Sequence, residues 1–181
     1  MKIKIYLTLL VLGCLSLWLI SDAANSPLIV TAEAQTKTSC DISTYISDQD
    51  PNGTNIRAKA NKNSAIVKTI QSGDVVVAIT GFSNGWFEIS KAELVGDSDD
   101  VLFQGRGWIH SSLIGIDVAA PDPRLYAEPR KGSGILMKLK PDESRLTLLA
   151  CQGEWVKVQT SGKIGWLSHE GQCGNPLTTC P

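Results

Sequence analysis

The side chains best suited to covalent chemistry in this 181-residue sequence are its cysteines, because a thiolate is a strong nucleophile when a histidine lies within reach. The two histidines, His110 and His169, each closely follow a Gly-Trp pair, at nearly equivalent places in the chain. We interpret both as turn residues after strands. Gly-x-Ser-x-Gly, His-Glu-x-x-His and phosphate-loop motifs do not occur. The sequence therefore predicts no catalytic residue, no enzyme activity and no cofactor.

Two acidic clusters could in principle hold a cation. The segment Asp48–Gly53 imitates the start of a calcium loop, but Lys59 occupies the twelfth position, where a bidentate glutamate is needed. Asp97, Asp99 and Asp100 form the second cluster, and no further ligand accompanies them. We interpret the first as a polar turn and the second as a solvated hairpin end, and we expect no metal site.

The N-terminus has the pattern of a targeting segment. Lys2 and Lys4 precede the apolar run Ile5–Ile20, and small residues follow it, which is typical of a secretory signal peptide. We predict a signal peptide over residues 1–34, cleaved after Ala34 or alternatively after Ala23. Sixteen apolar-rich residues fall short of the ~20 that cross a bilayer, so we expect no membrane span in the mature, exported protein.

Val11-Leu12-Gly13-Cys14 resembles a lipoprotein signal, but lipidation of Cys14 would leave Leu15–Ile20 as an apolar stretch in the mature protein. We therefore favour cleavage further downstream, with a periplasmic or extracellular protein as the product. Four cysteines then remain, an even number that favours disulfides in an exported chain, and their spacing does not fit a zinc site. They are Cys40, Cys151, Cys173 and Cys180.

Charge excludes two classes of partner. The formal net charge is −1, and lysines and arginines do not cluster. A nucleic-acid or anionic-membrane surface would need a basic patch, so we expect neither partner.

One stretch of the chain occurs twice. Ile56–Ser90 aligns without a gap on Leu125–Gln159 after a shift of 69 positions, and Gly107-Trp108-Ile109 then aligns on Gly165-Trp166-Leu167. An internal repeat of this length indicates two similar small domains. The paired positions are Ile56/Leu125, Ile66/Ile135, Val67/Leu136, Ile70/Leu139, Val77/Leu146, Ile79/Leu148, Trp86/Trp155, Phe87/Val156 and Ile89/Val158.

Within each copy the pattern is that of short strands. Val75–Ile79, Trp86–Ile89, Leu146–Leu149 and Trp155–Gln159 are β-branched, aromatic or alternating runs separated by turn residues. We predict an all-β protein of two small barrels. The expected order is a polar lead-in over 35–44, a first domain over 45–116, a proline-containing linker over 117–123, a second domain over 124–173 and a tail over 174–181.

The first copy resembles a bacterial SH3 (SH3b) domain, which reads roughly N-V-R, a polar loop, an apolar strand, N-G-W, a strand and G-W-V. The second copy is a more divergent match, and the first departs from the family by an insertion over Lys91–Val101. The residues that carry the resemblance are Asn55-Ile56-Arg57-Ala58, Ser72-Gly73-Asp74, Asn84-Gly85-Trp86-Phe87 and Gly107-Trp108-Ile109, with Gly153-Glu154-Trp155 and Gly165-Trp166-Leu167 in the second copy.

The resemblance implies a five-stranded SH3-like barrel in each copy and a non-catalytic binding role in the bacterial envelope. We expect recognition of peptidoglycan or cell-wall peptide, with binding of another envelope protein as the alternative. Trp86, Tyr126 and Trp155 border polar loops and are the candidate ligand contacts, whereas we expect Trp108 and Trp166 to pack in the barrel cores.

Four cysteines allow three disulfide pairings. We favour Cys151–Cys173 within the second barrel, because Cys173 falls on its expected last strand. Cys40–Cys180 would then join the two ends of the mature chain.

Overall fold

A computed structural model describes residues 36–177 except 72, 97–99, 120 and 141–145, so the signal segment and Cys180 lie outside the described residues. It confirms the all-β class. The described residues form two 3-10 helices (Ser111–Leu113 and His169–Gly171) and thirteen strands. These are β1 (Thr38–Ile46), β2 (Thr54–Arg57), β3 (Ile66–Ile70), β4 (Val75–Ser83), β5 (Trp86–Leu94), β6 (Val101–His110), β7 (Ile114–Val118), β8 (Arg124–Tyr126), β9 (Ile135–Lys138), β10 (Leu146–Gln152), β11 (Trp155–Thr160), β12 (Lys163–Leu167) and β13 (Gln172–Cys173).

The strands of the two repeats form one continuous antiparallel sheet. Its order is β3-β2-β6-β5-β4-β1-β7-β10-β11-β12-β8-β9, and β13 pairs with β7 beside this path. The same topology occurs on each side of β7. In the first repeat, β1 pairs with β4 and with the strand that follows the 3-10 helix, which is β7. In the second repeat, β7 takes the place of β1, since it pairs with β10 and with β13.

Strand β7 therefore belongs to both repeats. Its residue Gly115 is paired with Tyr45 of β1 and with Thr147 of β10, and its end at Val118 is paired with Gln172 of β13. The Tyr45 ring packs on Gly115, where an added Cβ would lie 2.9 Å from the ring. A strand paired on both sides cannot be removed from one repeat without exposing backbone groups of the other.

The part of the chain predicted as a linker is accordingly more ordered than its prolines suggest. Asp117 and Val118 are the last residues of β7, and the Tyr45 hydroxyl donates a hydrogen bond to Asp117 Oδ1 over 2.5 Å. Ala119 is buried, and its N–H donates to the carbonyl of Gly171. The described residues of both repeats belong to one compact unit.

Strand β1, most of which falls in the predicted polar lead-in, lies against both repeats. It pairs along its length with β4, and its start runs beside the turn between β10 and β11. Asp41 N–H donates to the carbonyl of Gly153 at 2.8 Å, and Gly153 N–H donates to the carbonyl of Ser39 at 2.9 Å. Cys40 is held between these two bonds, beside the second repeat.

The favoured disulfide pairing is wrong for this reason. Cys40 is bonded to Cys151 of β10, with Cα atoms 5.7 Å apart, so neither Cys40–Cys180 nor Cys151–Cys173 can form. Cys173 is also disulfide-bonded. The Cys40–Cys151 bond closes a loop of 111 residues, for which chain entropy alone predicts about 4–5 kcal/mol of stabilisation.

Most of the paired apolar positions of the repeat are buried in one hydrophobic cluster that spans both repeats. Ile66 and Val67 of β3 and Ile135 and Leu136 of β9 are exceptions, with 39–50% of each residue exposed. Strands β3 and β9 are the two ends of this strand order, so each has a hydrogen-bonded neighbour on only one side along it. The insertion at Lys91–Val101 lengthens the β5–β6 hairpin, and Asp97 and Asp99 fall outside the described residues.

The structure explains the glycine of the repeated Gly-Trp pair. An added Cβ at Gly107 would lie 2.2 Å from Ile56 Cγ2, and one at Gly165 would lie 2.5 Å from Leu125 Cγ. Ile56 and Leu125 are fully buried and occupy equivalent positions in the two repeats. The glycine therefore leaves the space that the first core residue of each repeat fills.

We predict that Gly107→Ala lowers the free energy of unfolding by about 1–3 kcal/mol, because it overpacks the core against Ile56. Gly134→Ala is the matched control, since an added Cβ there meets nothing within 4 Å. Urea unfolding monitored by tryptophan fluorescence gives both values. Equal effects of the two substitutions would show that the Gly107 contact is not tight.

Candidate functional site

Strand alternation places the predicted aromatic residues of the second repeat on one outer face. Tyr126 is paired with Trp166 across β8 and β12, and Trp166 is paired with Lys157 across β12 and β11. Directly opposed residues of antiparallel strands point to the same side, and Trp155 lies two positions before Lys157. The neighbouring positions Leu125, Val156, Val158 and Leu167 point inward and are fully buried.

Two of the candidate contacts meet on this face. The rings of Tyr126 and Trp155 have centroids 5.5 Å apart and planes at 85°, an edge-to-face pair. Both residues are half-buried, so each keeps apolar surface in contact with solvent. The pair is a rigid aromatic platform with polar edges.

The third candidate, Trp86, has a different neighbour. Its ring packs edge-on against His110 of the same repeat, with centroids 5.1 Å apart. The residue aligned with Tyr126 is Arg57, and its guanidinium donates to the carbonyl of Ser64 at 2.8 Å. The structure thus brings Tyr126 and Trp155 together and leaves Trp86 without an aromatic partner from strand β2.

Two grooves adjoin the Tyr126–Trp155 pair. One, of about 300 Å³, runs along Tyr126 and the segment Pro121–Arg124. The other, of about 320 Å³, runs along Trp155, Arg130 and His169. Lys131, Ser168 and Glu170 line both grooves and form the wall between them.

The wall between the grooves carries an ion pair. Lys131 Nζ lies 2.6 Å from Glu170 Oε1. The hydrogen bond from Lys131, with further ones from the Glu170 backbone and the Ser168 side chain, lowers the pKa of Glu170 to about 2. Glu170 is therefore ionised at any physiological pH. The wall between the two grooves thus carries one positive and one negative side chain beside the Tyr126–Trp155 pair.

Of the two tryptophans expected to pack in the barrel cores, Trp108 is buried and Trp166 is not. Trp108 is 5% exposed and lines a groove together with residues 58–60 and Lys37, which precedes β1. Trp166 is half-buried, and Lys157 Nζ lies 5.9 Å from its ring centroid. Alternation along β6 and β12 directs both tryptophans away from the side on which Gly107 and Gly165 pack against Ile56 and Leu125.

Beside Trp108 lies a buried carboxylate that the sequence analysis missed. Glu88 is 3% exposed and opposes Trp108 across β5 and β6. It accepts hydrogen bonds from Lys37 Nζ at 2.6 Å, from Arg106 Nε and from Thr80 Oγ1 at 3.1 Å. Lys37 reaches it by lying across Gly81, where an added Cβ would be 3.0 Å from the lysine stem. The signal for this site in the sequence is an acidic residue that stands between apolar residues of one strand.

Burial alone would raise the pKa of Glu88, but the hydrogen bonds from Lys37, Arg106 and Thr80 outweigh it and hold the pKa below its ordinary value of 4.5. A depressed carboxyl pKa stabilises the fold above the unfolded-state value, and this contribution is lost as the pH falls through the folded-state value.

We therefore predict that Glu88→Gln lowers the free energy of unfolding by roughly 1–3 kcal/mol at pH 7, and that the deficit relative to the wild type shrinks as the pH falls below 4.5. Urea unfolding at several pH values measures this deficit. Glu128→Gln is the control, because the exposed Glu128–Arg130 pair contributes less than about 1 kcal/mol. A deficit for Glu88→Gln that stays constant between pH 7 and pH 3 would contradict the assignment.

The cysteines and the acidic turn considered in the sequence analysis have partners within the described part of the chain. Cys40, Cys151 and Cys173 are all disulfide-bonded, and no group of three or more His, Cys, Asp or Glu side chains in this part of the chain could hold a metal ion. In the segment that imitates a calcium loop, Asp48 and Asp50 accept hydrogen bonds within their own turn.

Comparison with known families agrees with the tandem repeat. Residues 52–115 and 121–171 match the family model described as "Bacterial SH3 domain", which covers more than half of the chain and reproduces the tandem repeat. The chain belongs to the bacterial SH3 domain family. Domains of this family bind cell-wall components or proteins.

Solved structures similar to this SH3b pair include NlpC2 and NlpC1 from Trichomonas vaginalis, each 16% identical with a TM-score of 0.32. The matches cover 77% and 76% of this chain but 48% and 46% of those chains, so this chain spans about half their length. Similarities at this level carry no argument about function. No curated protein matches the chain.

The compartment follows from the disulfide and the family. A disulfide such as Cys40–Cys151 forms and persists in oxidising surroundings, which indicates an extracytoplasmic protein. Within the described part of the chain, no helix is long and apolar enough to cross a membrane.

Proposed function

We propose that this protein is an exported, non-catalytic binding module of the bacterial envelope that recognises peptidoglycan or cell-wall peptide. The observation that carries the proposal is the half-buried Tyr126–Trp155 pair, whose outer face adjoins two grooves. An aromatic surface with an apolar body and a polar edge suits a ligand that stays partly in water, as a wall peptide does.

The charges around the pair support a peptide or glycopeptide ligand. Lys131 and Glu170 stand between the grooves, and His169 and Glu154 line the groove beside Trp155. A zwitterionic peptide can pair with both signs of charge across this short distance. Because the grooves are open and offer few ordered polar contacts, we expect modest affinity from this site alone.

A second surface favours the alternative, binding of another envelope protein. Ile66 and Val67 on one sheet edge, and Ile135 and Leu136 on the other, expose apolar side chains on strands with unpaired edges. Exposed edge strands are sites where another chain can add a strand. This surface is separate from the aromatic pair, so variants can distinguish the two functions.

We predict that Tyr126→Ala and Trp155→Ala each weaken co-sedimentation with purified peptidoglycan by at least about fivefold, the loss expected when a contact aromatic worth more than 1 kcal/mol is truncated. The melting temperature of each variant identifies any loss caused by unfolding. Leu136→Ala is the matched control, an exposed apolar truncation on the sheet edge that we expect to leave wall binding unchanged.

Two results would overturn the proposal. One is wild-type sedimentation by folded Tyr126→Ala and Trp155→Ala variants. The other is weaker sedimentation of Leu136→Ala while both aromatic variants bind normally, which would move the binding surface to the edge strand. The same variants tested against envelope extract measure the protein-binding alternative.

A further inference from the structure

A third groove, of about 390 Å³, lies on the first repeat and is separate from the Tyr126–Trp155 site. Its lining is unusual for the surface of a protein with a net charge of −1, because three of its residues are cationic. The lining residues are Lys37, Ala58, Lys59, Ala60, Ser83, Arg106 and Trp108.

The hydroxyl of Ser83 is the observation that points to a ligand. Ser83 is 5% exposed, and within the described part of the chain its Oγ is the buried side-chain oxygen or nitrogen atom that has no hydrogen-bond partner. Leaving a buried hydroxyl unsatisfied costs free energy, so native proteins rarely do it without a reason. Ser83 is one of the lining residues, so a ligand that enters the groove and displaces the side chains covering this hydroxyl can accept the missing hydrogen bond.

Electrostatics determine the sign of that ligand. Glu88 pairs with two of the lining cations, Lys37 and Arg106, so its single charge offsets one of the three positive charges. A formal excess of two positive charges remains. Arg106 uses its Nε for Glu88, which leaves its terminal nitrogens for another acceptor, and Lys59 has no acidic partner among the described residues.

The rest of the lining limits the ligand's size and chemistry. Ala58 and Ala60 are small and apolar, and the Trp108 ring lies nearby with the Arg106 guanidinium 6.0 Å from its centroid. These residues suit a short aliphatic group attached to the anion. A planar carboxylate can accept from the Ser83 hydroxyl and a guanidinium N–H at the same time.

We propose that this groove is a binding site for a free carboxylate carried on a small amino-acid residue, such as the C-terminus of a peptide. The site does not depend on the wall-binding function proposed for the second repeat. It would give the protein a second point of contact, held in a fixed position relative to the first by the shared strand β7.

The test is a titration of the ¹⁵N-labelled mature protein with N-acetylalanine, followed through the indole resonance of Trp108 and the amide resonances of Ala58 and Ser83. We expect saturable shifts with N-acetylalanine and none with its uncharged amide. Ser83→Ala should weaken binding roughly tenfold, the loss expected for a hydrogen bond to a charged group. Lys59→Gln should weaken it a few-fold, and Lys62→Gln, an exposed lysine outside the groove, should have no effect.

The Ser83→Ala variant also distinguishes a loss of ligand binding from a loss of folding. Because the hydroxyl has no protein partner in this part of the chain, its removal should leave the melting temperature unchanged or raise it. A marked loss of stability would show that the hydroxyl is already satisfied within the fold, and it would overturn the proposal.

Three other outcomes would overturn it. They are no saturable shift in the wild type, equal binding of N-acetylalanine and its amide, and tighter binding of inorganic phosphate at the same resonances. Each is independent of peptidoglycan sedimentation. Loss of wall binding with an intact titration would reject the proposed function and leave this carboxylate site in place.

Discussion

Pairing of β7 with β1, β10 and β13 is the interaction on which the rest of the structure depends. The chain uses five residues, Ile114–Val118, both to end the first SH3b repeat and to begin the second. Neither repeat can bury its share of the hydrophobic cluster without this strand, since Ile114, Ile116 and Val118 are all buried in it. The Cys40–Cys151 bond reinforces the same junction from β1.

A shared strand also explains how one scaffold presents two different surfaces. On the outer face, equivalent positions hold Glu88 in the first repeat and Lys157 in the second. Glu88 draws Lys37 and Arg106 over the face, and the neighbouring Trp108 is buried. In the second repeat, Trp166 stays half-buried beside Lys157 and the Tyr126–Trp155 pair. A change in charge at one strand position thus accompanies a cationic groove in one repeat and an aromatic cleft in the other.

The features of the fold that depend on local sequence pattern were predictable. Alternation and turn residues located the central strands, and the matching glycines before Trp108 and Trp166 mark the same core contact in each repeat. The pairing of the two repeats was not predictable in this way. Cys40, Ile42 and Thr44 alternate as buried positions of β1, but their polar neighbours led to the interpretation of this segment as a polar lead-in. The correct disulfide follows from where β1 lies, which depends on contacts with residues more than a hundred positions away.

The candidate site was predictable in its members but not in its arrangement. Tyr126 and Trp155 were recognisable as aromatic residues beside polar loops, whereas their contact depends on β12 lying between their strands. The cationic groove was harder to predict, because Lys37, Ser83 and Arg106 come from three separate segments. A site assembled from distant segments does not produce a recognisable spacing of residues in the sequence.

Native-state hydrogen exchange tests most directly whether the shared strand makes the two repeats one cooperative unit. The amides to compare are those of Ile89 in β5 and Val158 in β11, both fully buried and one in each repeat. If β7 couples the repeats, both amides exchange through the same opening, with equal free energies and the same dependence on denaturant. Exchange of Val158 at a clearly lower free energy and with a weaker denaturant dependence than Ile89 would show that the second repeat unfolds alone, and would contradict this coupling.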